Sequence, residues 1–394
     1  MSDRALILLL SVIVAIGSVA TNIYIPALPA VRDYFGASVS EVQATFSVAL
    51  VTFAVGMLFW GPFADRYGRR RALFAGIGLT AAGSLLCAFA ESLAALILGR
   101  AVLAFGTATA IAVTRTIVSD LFPERMAQAF AQLAVVAVFA SAAAPIVGGF
   151  LTAWLGWRSV FGALILTCVG VGWLAWSRLP ETRPPTVSPP DVREMARVAR
   201  GLLARPLYLS CTLQSSAAYA MFIVFISLAP YVMVKALGRP PTEYGLYYPF
   251  ISIGYVLGNW ALGRWASVGH PRLIGFGVAL QLLAAAAALV FVAVGLRHPL
   301  WIFLPMAVLF FGQGLFMPHL TAIAVSLAPP HATGVGASTL GFLNQFASAI
   351  CVQAMGVAGD DSALPMLAFV AGAALFQLAV LKLSPPMGAG ARAP

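Results

Sequence analysis

The chain has 394 residues, 61% hydrophobic and 9% charged, with 23 Lys and Arg against 13 Asp and Glu and a formal net charge of +10. A soluble domain is about 45–50% apolar and about 25% charged, so these proportions exclude an ordinary soluble enzyme, a disordered protein and, despite the positive charge, a nucleic-acid binder. A bilayer-spanning helix takes about 20 apolar residues, and twelve take about 240, which leaves this chain short loops and one longer link.

The predicted spans run over 5–29, 42–61, 72–90, 93–118, 127–153, 158–177, 207–234, 244–265, 272–296, 299–327, 333–357 and 363–383. The first is read as a span and not a cleaved leader, because a single Arg4 precedes it and the apolar run continues through Pro29. Turn and charge residues mark the breaks: Arg66–Arg71, Glu91-Ser92, Pro123-Glu124-Arg125, Pro329-Pro330-His331 and Asp360-Asp361.

Segment 178–206 differs from the other links. Its first part is too rich in proline to be helical. From Val192 it suits a short basic amphipathic helix with Val192, Met195, Val198 and Leu202 on one side, lying on the membrane face. The predicted domains are therefore a six-helix bundle over 1–177, a cytoplasmic central loop over 178–206 and a second six-helix bundle over 207–394. That is the gross plan of a transporter built from two pseudo-symmetric halves. With the N-terminus inside, inner loops and span ends hold 17 Lys and Arg and outer loops 5, with Arg100 inside span 4. The positive-inside rule then places both termini and the central loop in the cytoplasm.

Cys87, Cys168, Cys211 and Cys351 all fall in apolar runs with no C-x-x-C pair, so neither zinc nor a redox couple is expected. Four His are too few for a multi-histidine membrane metalloenzyme.

The strongest motif is Gly61-Pro-Phe-Ala-Asp65-Arg66-Tyr-Gly68-Arg69-Arg70-Arg71 between spans 2 and 3. A basic stop-transfer loop accounts for the arginines but not for the Asp and two Gly. The order resembles the G-x-L-A-D-R-x-G-R-R signature of the major facilitator superfamily. The resemblance implies a cytoplasmic gate formed by Gly61, Asp65, Arg66, Gly68, Arg69 and Asp120. Asp65 would meet the helix start near Thr333, where a helix N-terminus attracts a carboxylate. Arg69 would pair with Asp120 in fork geometry.

Other stretches narrow the likeness: Thr21-Asn-Ile-Tyr24-Ile-Pro26-Ala-Leu-Pro29, Leu98-Gly-Arg100 through Gly106, Ala144-Pro145-Ile-Val-Gly148-Gly149, Gly156-Trp157-Arg158 and Leu179-Pro180-Glu181-Thr182. Together they resemble the Bcr/CflA group of twelve-span drug:proton antiporters, strongly over spans 1–6 and more loosely over spans 7–12. Pro145, Gly148 and Gly149 match that group's antiporter motif and imply a helix-5 hinge; small residues also allow close helix packing.

The departures from the pattern are informative. Asn22 stands where relatives carry Asp, and Leu103 and Ala104 replace the usual Gln and Gly. All 13 acids lie in loops or at span ends, so the usual mid-membrane proton carrier is missing. Candidates for proton coupling are then His319, a histidine within span 10, and the rim acid Glu41. Candidate ligand-lining residues are Asn22 and Tyr24 in span 1, Arg100 in span 4, Gln214, Tyr219 and Phe222 in span 7, Tyr255 in span 8, Gln313 in span 10, and Asn344 and Gln345 in span 11. An intramembrane Arg is costly and usually functional, although snorkelling toward Glu41 or Glu91, or bonding to helix carbonyls, also accounts for Arg100. A mostly apolar pocket with few polar groups suits a drug-sized ligand.

The expected fold class is an all-α integral membrane protein with twelve transmembrane helices in two bundles. The expected function is proton-coupled export of small amphipathic compounds by alternating access, at a site between the halves in a bacterial inner membrane. The alternative is a dedicated exporter of an anionic metabolite or siderophore driven by membrane potential, which supplies about 2.3 kcal/mol per charge per 100 mV. An embedded enzyme or a receptor lacks any matching constellation. The expected partners are a small-molecule substrate, protons and the lipid bilayer, with no cofactor, no metal and no nucleic acid, and the protein is expected to work as a monomer.

Overall fold

The computed structural model describes residues 3–182, 192–265, 270–329, 332–358 and 362–385, and among them contains helices and links but no strand. The helices are α1 (Asp3–Asn22), α2 (Leu28–Phe35), α3 (Val39–Tyr67), α4 (Arg69–Ala88), α5 (Leu93–Leu121), α6 (Met126–Leu155), α7 (Ser159–Arg178), α8 (Val192–Leu203), α9 (Pro206–Tyr231), α10 (Pro241–Arg264), α11 (His270–Ala293), α12 (Leu300–Ser326), α13 (Thr333–Met355) and α14 (Leu364–Leu383). Among the described residues eleven candidate membrane spans, the first running through both α1 and α2, are long and apolar enough to cross a bilayer. The predicted eighth span is α10, a 24-residue helix carrying Tyr, Asn and Pro residues, which is not among these eleven.

Local chemistry explains the boundaries. Ser38 and Glu41 form a reciprocal capping box that starts α3, with Ser38 N–H donating to the Glu41 carboxylate at 2.8 Å and Glu41 N–H to Ser38 Oγ at 3.3 Å. Ser92 caps α5 through the Ala95 amide at 3.2 Å.

Two expectations need correction. The 61–71 motif is not a loop: Gly61–Tyr67 closes α3, Arg69 opens α4, and Gly68 alone separates them. Span 1 is not one helix. It breaks after Asn22, passes through a 3₁₀ turn at Ile25–Ala27, and resumes as α2. Pro26 and Pro29, which lack an N–H to donate, enforce the break.

The chain divides into two compact units, Met1–Pro190 with Pro240–Leu246, and Asp191–Arg239 with Tyr247–Pro394. In the first, α5 packs against α1, α3 and α4. The α4–α5 contact is close because the space a Cβ would need at Gly83 or Gly106 holds backbone of the facing helix. In the second, α11 and α12 approach through Gly277 and Gly312, where a Cβ on Gly277 would lie 2.6 Å from the Gly312 carbonyl oxygen.

The amphipathic helix of the central link is α8. Met195 and Val198 are half-buried and Leu202 is buried, close to Gly336 of α13. Leu202 thus packs on the protein itself, while Met195 and Val198 stay partly open. The proline-rich stretch at 183–191, like 330–331 and 359–361, lies outside the described residues.

Candidate transport site and cytoplasmic corner

The α3–α4 corner turns on one residue. Gly68 has φ +105°, a region side chains rarely adopt, and an added Cβ would meet the Glu181 carboxylate at 2.6 Å. Asp65 and Arg69 flank it one turn apart. Arg69 Nη1 donates to Asp65 Oδ1, and Arg69 Nε donates to Asp120 Oδ2 at 3.2 Å, so one guanidinium joins the ends of α3, α4 and α5. Thr182 Oγ1 donates to the same Asp120 oxygen at 3.4 Å. The Glu181 carboxylate accepts the backbone N–H of Arg69 at 2.8 Å and of Arg70 at 3.2 Å, a negative charge at the N-terminus of α4. Arg70 Nη2 donates to the Trp176 carbonyl at 2.8 Å, and its guanidinium lies over the Trp176 ring at 5.1 Å. Arg66 is exposed above the Tyr67 ring, and Gly61 has open space where a Cβ would sit.

The expected pairing of Arg69 with Asp120 is present; Asp65, expected to meet the helix start near Thr333, bonds Arg69 within its own corner. Sequence reasoning quoted Leu179–Thr182 as a family likeness without a role. Pro180, just past the end of α7, and an acid beside a basic corner were the available signals.

At the break in span 1 the candidate residues point different ways. The Asn22 amide donates to Ser18 O at 2.8 Å and to Ser141 Oγ of α6 at 3.0 Å. The Tyr24 hydroxyl pairs with Thr45 of α3 at 2.9 Å, and its ring packs on Phe161 of α7 at 5.5 Å. Arg100, only 2% exposed, donates from Nη1 to the Ala20 carbonyl at 3.3 Å, lies over the Tyr24 ring at 4.4 Å, and leaves Nε without a hydrogen-bond partner. Of the two open readings of Arg100, this geometry is the bonding to a helix carbonyl. Glu41 is engaged at the α3 cap.

Pro145, Gly148 and Gly149 lie inside α6. The Ile23 carbonyl oxygen occupies the space a Cβ on Gly148 would take, and Gly149 faces Pro241 O at 3.0 Å from its missing Cβ. Gly148 therefore fits the span-1 break directly.

In the second unit α9, α12 and α13 converge. Ser215 and Ser216 both donate to Asn344 Oδ1 at 2.9 Å, and the Gln313 amide donates to the Ala218 carbonyl at 3.1 Å. Tyr219 reaches Gln345. Phe222 packs edge-on to Phe310 at 5.5 Å, and Phe225 continues the wall to Phe303 at 5.5 Å. The Gln214 side chain donates to Ser210 Oγ of its own helix at 3.2 Å, and its backbone carbonyl accepts the Gln377 amide of α14 at 2.9 Å. Tyr255 is half-buried on α10, where its carbonyl accepts the Asn259 amide, and His319 is half-buried on α12. Every described Asp or Glu lies in a link or within the first or last turn of a helix.

Such a protein, with apolar spans, acids confined to their ends, and neutral polar and aromatic side chains within beside one buried arginine, is a multi-pass membrane transporter. Residues 10–352 match the family model described as Major Facilitator Superfamily, and the chain belongs to that superfamily. It is 25% identical over 388 residues to the uncharacterized MFS-type transporter YdgK of Bacillus subtilis (strain 168), covering 96% of this chain and 93% of the relative. It is 27% identical to multidrug resistance protein D of Escherichia coli (strain K12), covering 86% and 85%, and 29% identical to a chloramphenicol resistance protein of Pseudomonas aeruginosa, covering 83% and 76%. Its fold resembles that of a D-xylose-proton symporter, with a TM-score of 0.77, 13% identity and coverage of 98% and 99%. A bacterial homologue of the lysosomal transporter Spinster also has a TM-score of 0.77, with 15% identity and coverage of 97% and 96%.

Proposed function

We propose that this protein exports small amphipathic compounds, as a drug-efflux transporter of a bacterial inner membrane with both termini in the cytoplasm, working by alternating access as a monomer. The carrying observation is the convergence of α9, α12 and α13 in the second unit. Tyr219, Phe222, Gln313, Asn344 and Gln345 offer aromatic faces and neutral amides with no fixed charge among them, which suits a neutral or weakly charged drug-sized molecule. The names of the multidrug and chloramphenicol resistance relatives point the same way. In this reading the two six-helix bundles, 1–177 and 207–394, exchange states about the 178–206 link. The Asp65–Arg69–Asp120 corner is a gate that must rearrange in each cycle.

Proton coupling follows from the family's drug:proton antiporters, with His319 and Glu41 as the candidate groups. One observation favours a second reading, export driven by membrane potential: no described carboxylate sits within the interior of a span. The test is uptake into inverted vesicles or proteoliposomes across a substrate panel beginning with chloramphenicol, with the pH gradient and the potential imposed separately. Uptake driven by the pH gradient and lost in His319→Gln or Glu41→Gln supports coupling through that residue. Uptake that follows only the potential moves the assignment to the second reading. No uptake of any amphipathic compound under either force overturns the export proposal.

A further inference from the structure

Arg100 raises a charge-balance problem that the export reading does not address. Its guanidinium is 2% exposed on α5, within a stretch that spans the membrane. A buried ion is tolerated only when compensated, and no carboxylate of the described residues lies within ion-pair distance of it. What does face it is the end of a helix. Ala20 is one of the last residues of α1, where carbonyls run out of intrahelical donors and the backbone dipole leaves partial negative charge. Arg100 Nη1 donates to that carbonyl at 3.3 Å, and the negative face of the Tyr24 ring lies 4.4 Å from the guanidinium carbon.

We propose that the broken span 1 is the counter-charge of Arg100, and that Arg100 is in turn the positioning residue that keeps span 1 broken. The α1 terminus and the Tyr24 ring act in place of an acid. Neither partner is stable alone in a bilayer. A helix end exposes carbonyls that lipid cannot satisfy, and the arginine carries a charge that lipid cannot solvate. Each supplies what the other lacks, so the α5 cation selects the bent form of span 1 over a continuous helix.

The bent form is then tied from other sides: Asn22 to Ser141 of α6, and Tyr24 to Thr45 of α3. Arg100 thereby fixes where Asn22 and Tyr24 are presented. Because both parts of its counter-charge belong to the chain itself, Arg100 needs no bound anion to be held. The inference goes beyond the export reading and stands whatever the substrate.

The experiment is hydrogen exchange by mass spectrometry on the full chain in lipid nanodiscs, without ligand, comparing residues 19–28 with the other helices. Arg100→Gln is expected to raise exchange at residues 19–28 at least tenfold while α4, α9 and α12 stay at wild-type rates. Arg100→Lys, which keeps the cation, is expected to restore most of the protection, and Tyr24→Phe, which keeps the ring, to restore nearly all of it. Should Arg100→Gln not give folded protein, Tyr24→Leu leaves the cation and removes its aromatic partner, and carries the same expectation at smaller amplitude. Protection of residues 19–28 that survives in folded Arg100→Gln, or a rise spread evenly over all helices, overturns the proposal. So does wild-type protection that appears only when an organic anion such as benzoate is added, since the counter-charge would then be a ligand.

Discussion

Arg69 and Arg100 are both buried arginines of the first unit, 3% and 2% exposed, yet they are neutralised in different ways. Arg69 sits at the membrane boundary, where carboxylates are affordable, and holds two of them, Asp65 and Asp120. Arg100 sits inside a span and holds none; it uses a helix end and a tyrosine face. An ion pair that can gain water when it opens suits a contact that must break and reform. A cation held by backbone and ring has no such exit, and suits a contact that stays made. The difference assigns movement to the α3–α4 corner and permanence to the bend in span 1. Substitutions in each region should therefore fail differently, by losing transport at the corner and by losing the fold at the bend.

The largest effect is expected at the bend, from Gly148→Val. The Ile23 carbonyl occupies the space the new side chain needs, and both partners are backbone, so no rotamer change relieves the clash. Overpacking of this kind costs about 1–3 kcal/mol and occasionally more. We expect little monodisperse protein on gel filtration and no measurable transport from what remains. Gly149→Ala, whose nearest neighbour would stand at 3.0 Å, should be milder. Normal yield and transport for Gly148→Val would show that the bend does not depend on this contact.

At the corner, Arg69→Gln should leave Asp65 and Asp120 facing each other without a cation. The carboxylates are 22% and 15% exposed, so water relieves part of the penalty, and we expect roughly 2–3 kcal/mol of destabilisation. Thermal unfolding should shift by a few degrees while transport is lost entirely. Arg69→Lys keeps a charge but cannot fork to two acids, and should recover stability more than transport. Transport at wild-type rate in Arg69→Gln would remove the corner from the cycle.

The sequence carried much of this contrast, unevenly. The corner was legible because its motif is local: Asp65, Gly68 and Arg69 fall within five residues, and the partner Asp120 ends a predicted helix. Spans were legible because apolar runs and turn residues alternate cleanly. The bend was half legible. Pro26 and Pro29 announced a disturbance, but a carbonyl as the partner of Arg100 has no side-chain signature, so a list of acids returned only an absence. Gln214 and Gln345 read alike in sequence, as amides in apolar spans, yet Gln214 bonds Ser210 of its own helix and Gln345 reaches Tyr219. The α8 face was legible as apolar, but whether it met lipid or protein depended on where α13 lay.

A smaller effect separates the two sides of the Arg69 fork. Asp65→Asn keeps the size and loses the charge of the more exposed acid, so its stability cost should be at most about 1 kcal/mol. Transport should nevertheless fall clearly, because the residue is assigned to a gate and not to the core. Equal expression, an unfolding temperature within a degree or two of wild type, and impaired uptake is the expected triad. A normal uptake rate would count against the gate.

The smallest expected effect concerns Glu181, which tests whether the α4 end of the corner needs a charge or only an acceptor. In the structure Glu181 uses one carboxylate oxygen on the Arg69 amide and the other on the Arg70 amide, and the oxygen on Arg69 also takes the Thr182 amide at 3.1 Å. Glu181→Gln retains one acceptor oxygen and loses the negative charge at the helix N-terminus, an interaction of about 0.3–1 kcal/mol. Glu181→Ala loses both acceptor oxygens and leaves three amides to water, so it should cost more by about one hydrogen bond, roughly 1 kcal/mol. Neither substitution removes a partner of the Arg69 side chain, so both variants should transport, with Glu181→Ala the slower. If Glu181→Gln instead abolished uptake as completely as Arg69→Gln, the charge at the α4 terminus would belong to the moving part of the corner, and the line drawn between Arg69 and its surroundings would have to be widened to include α7 and its Pro180 end.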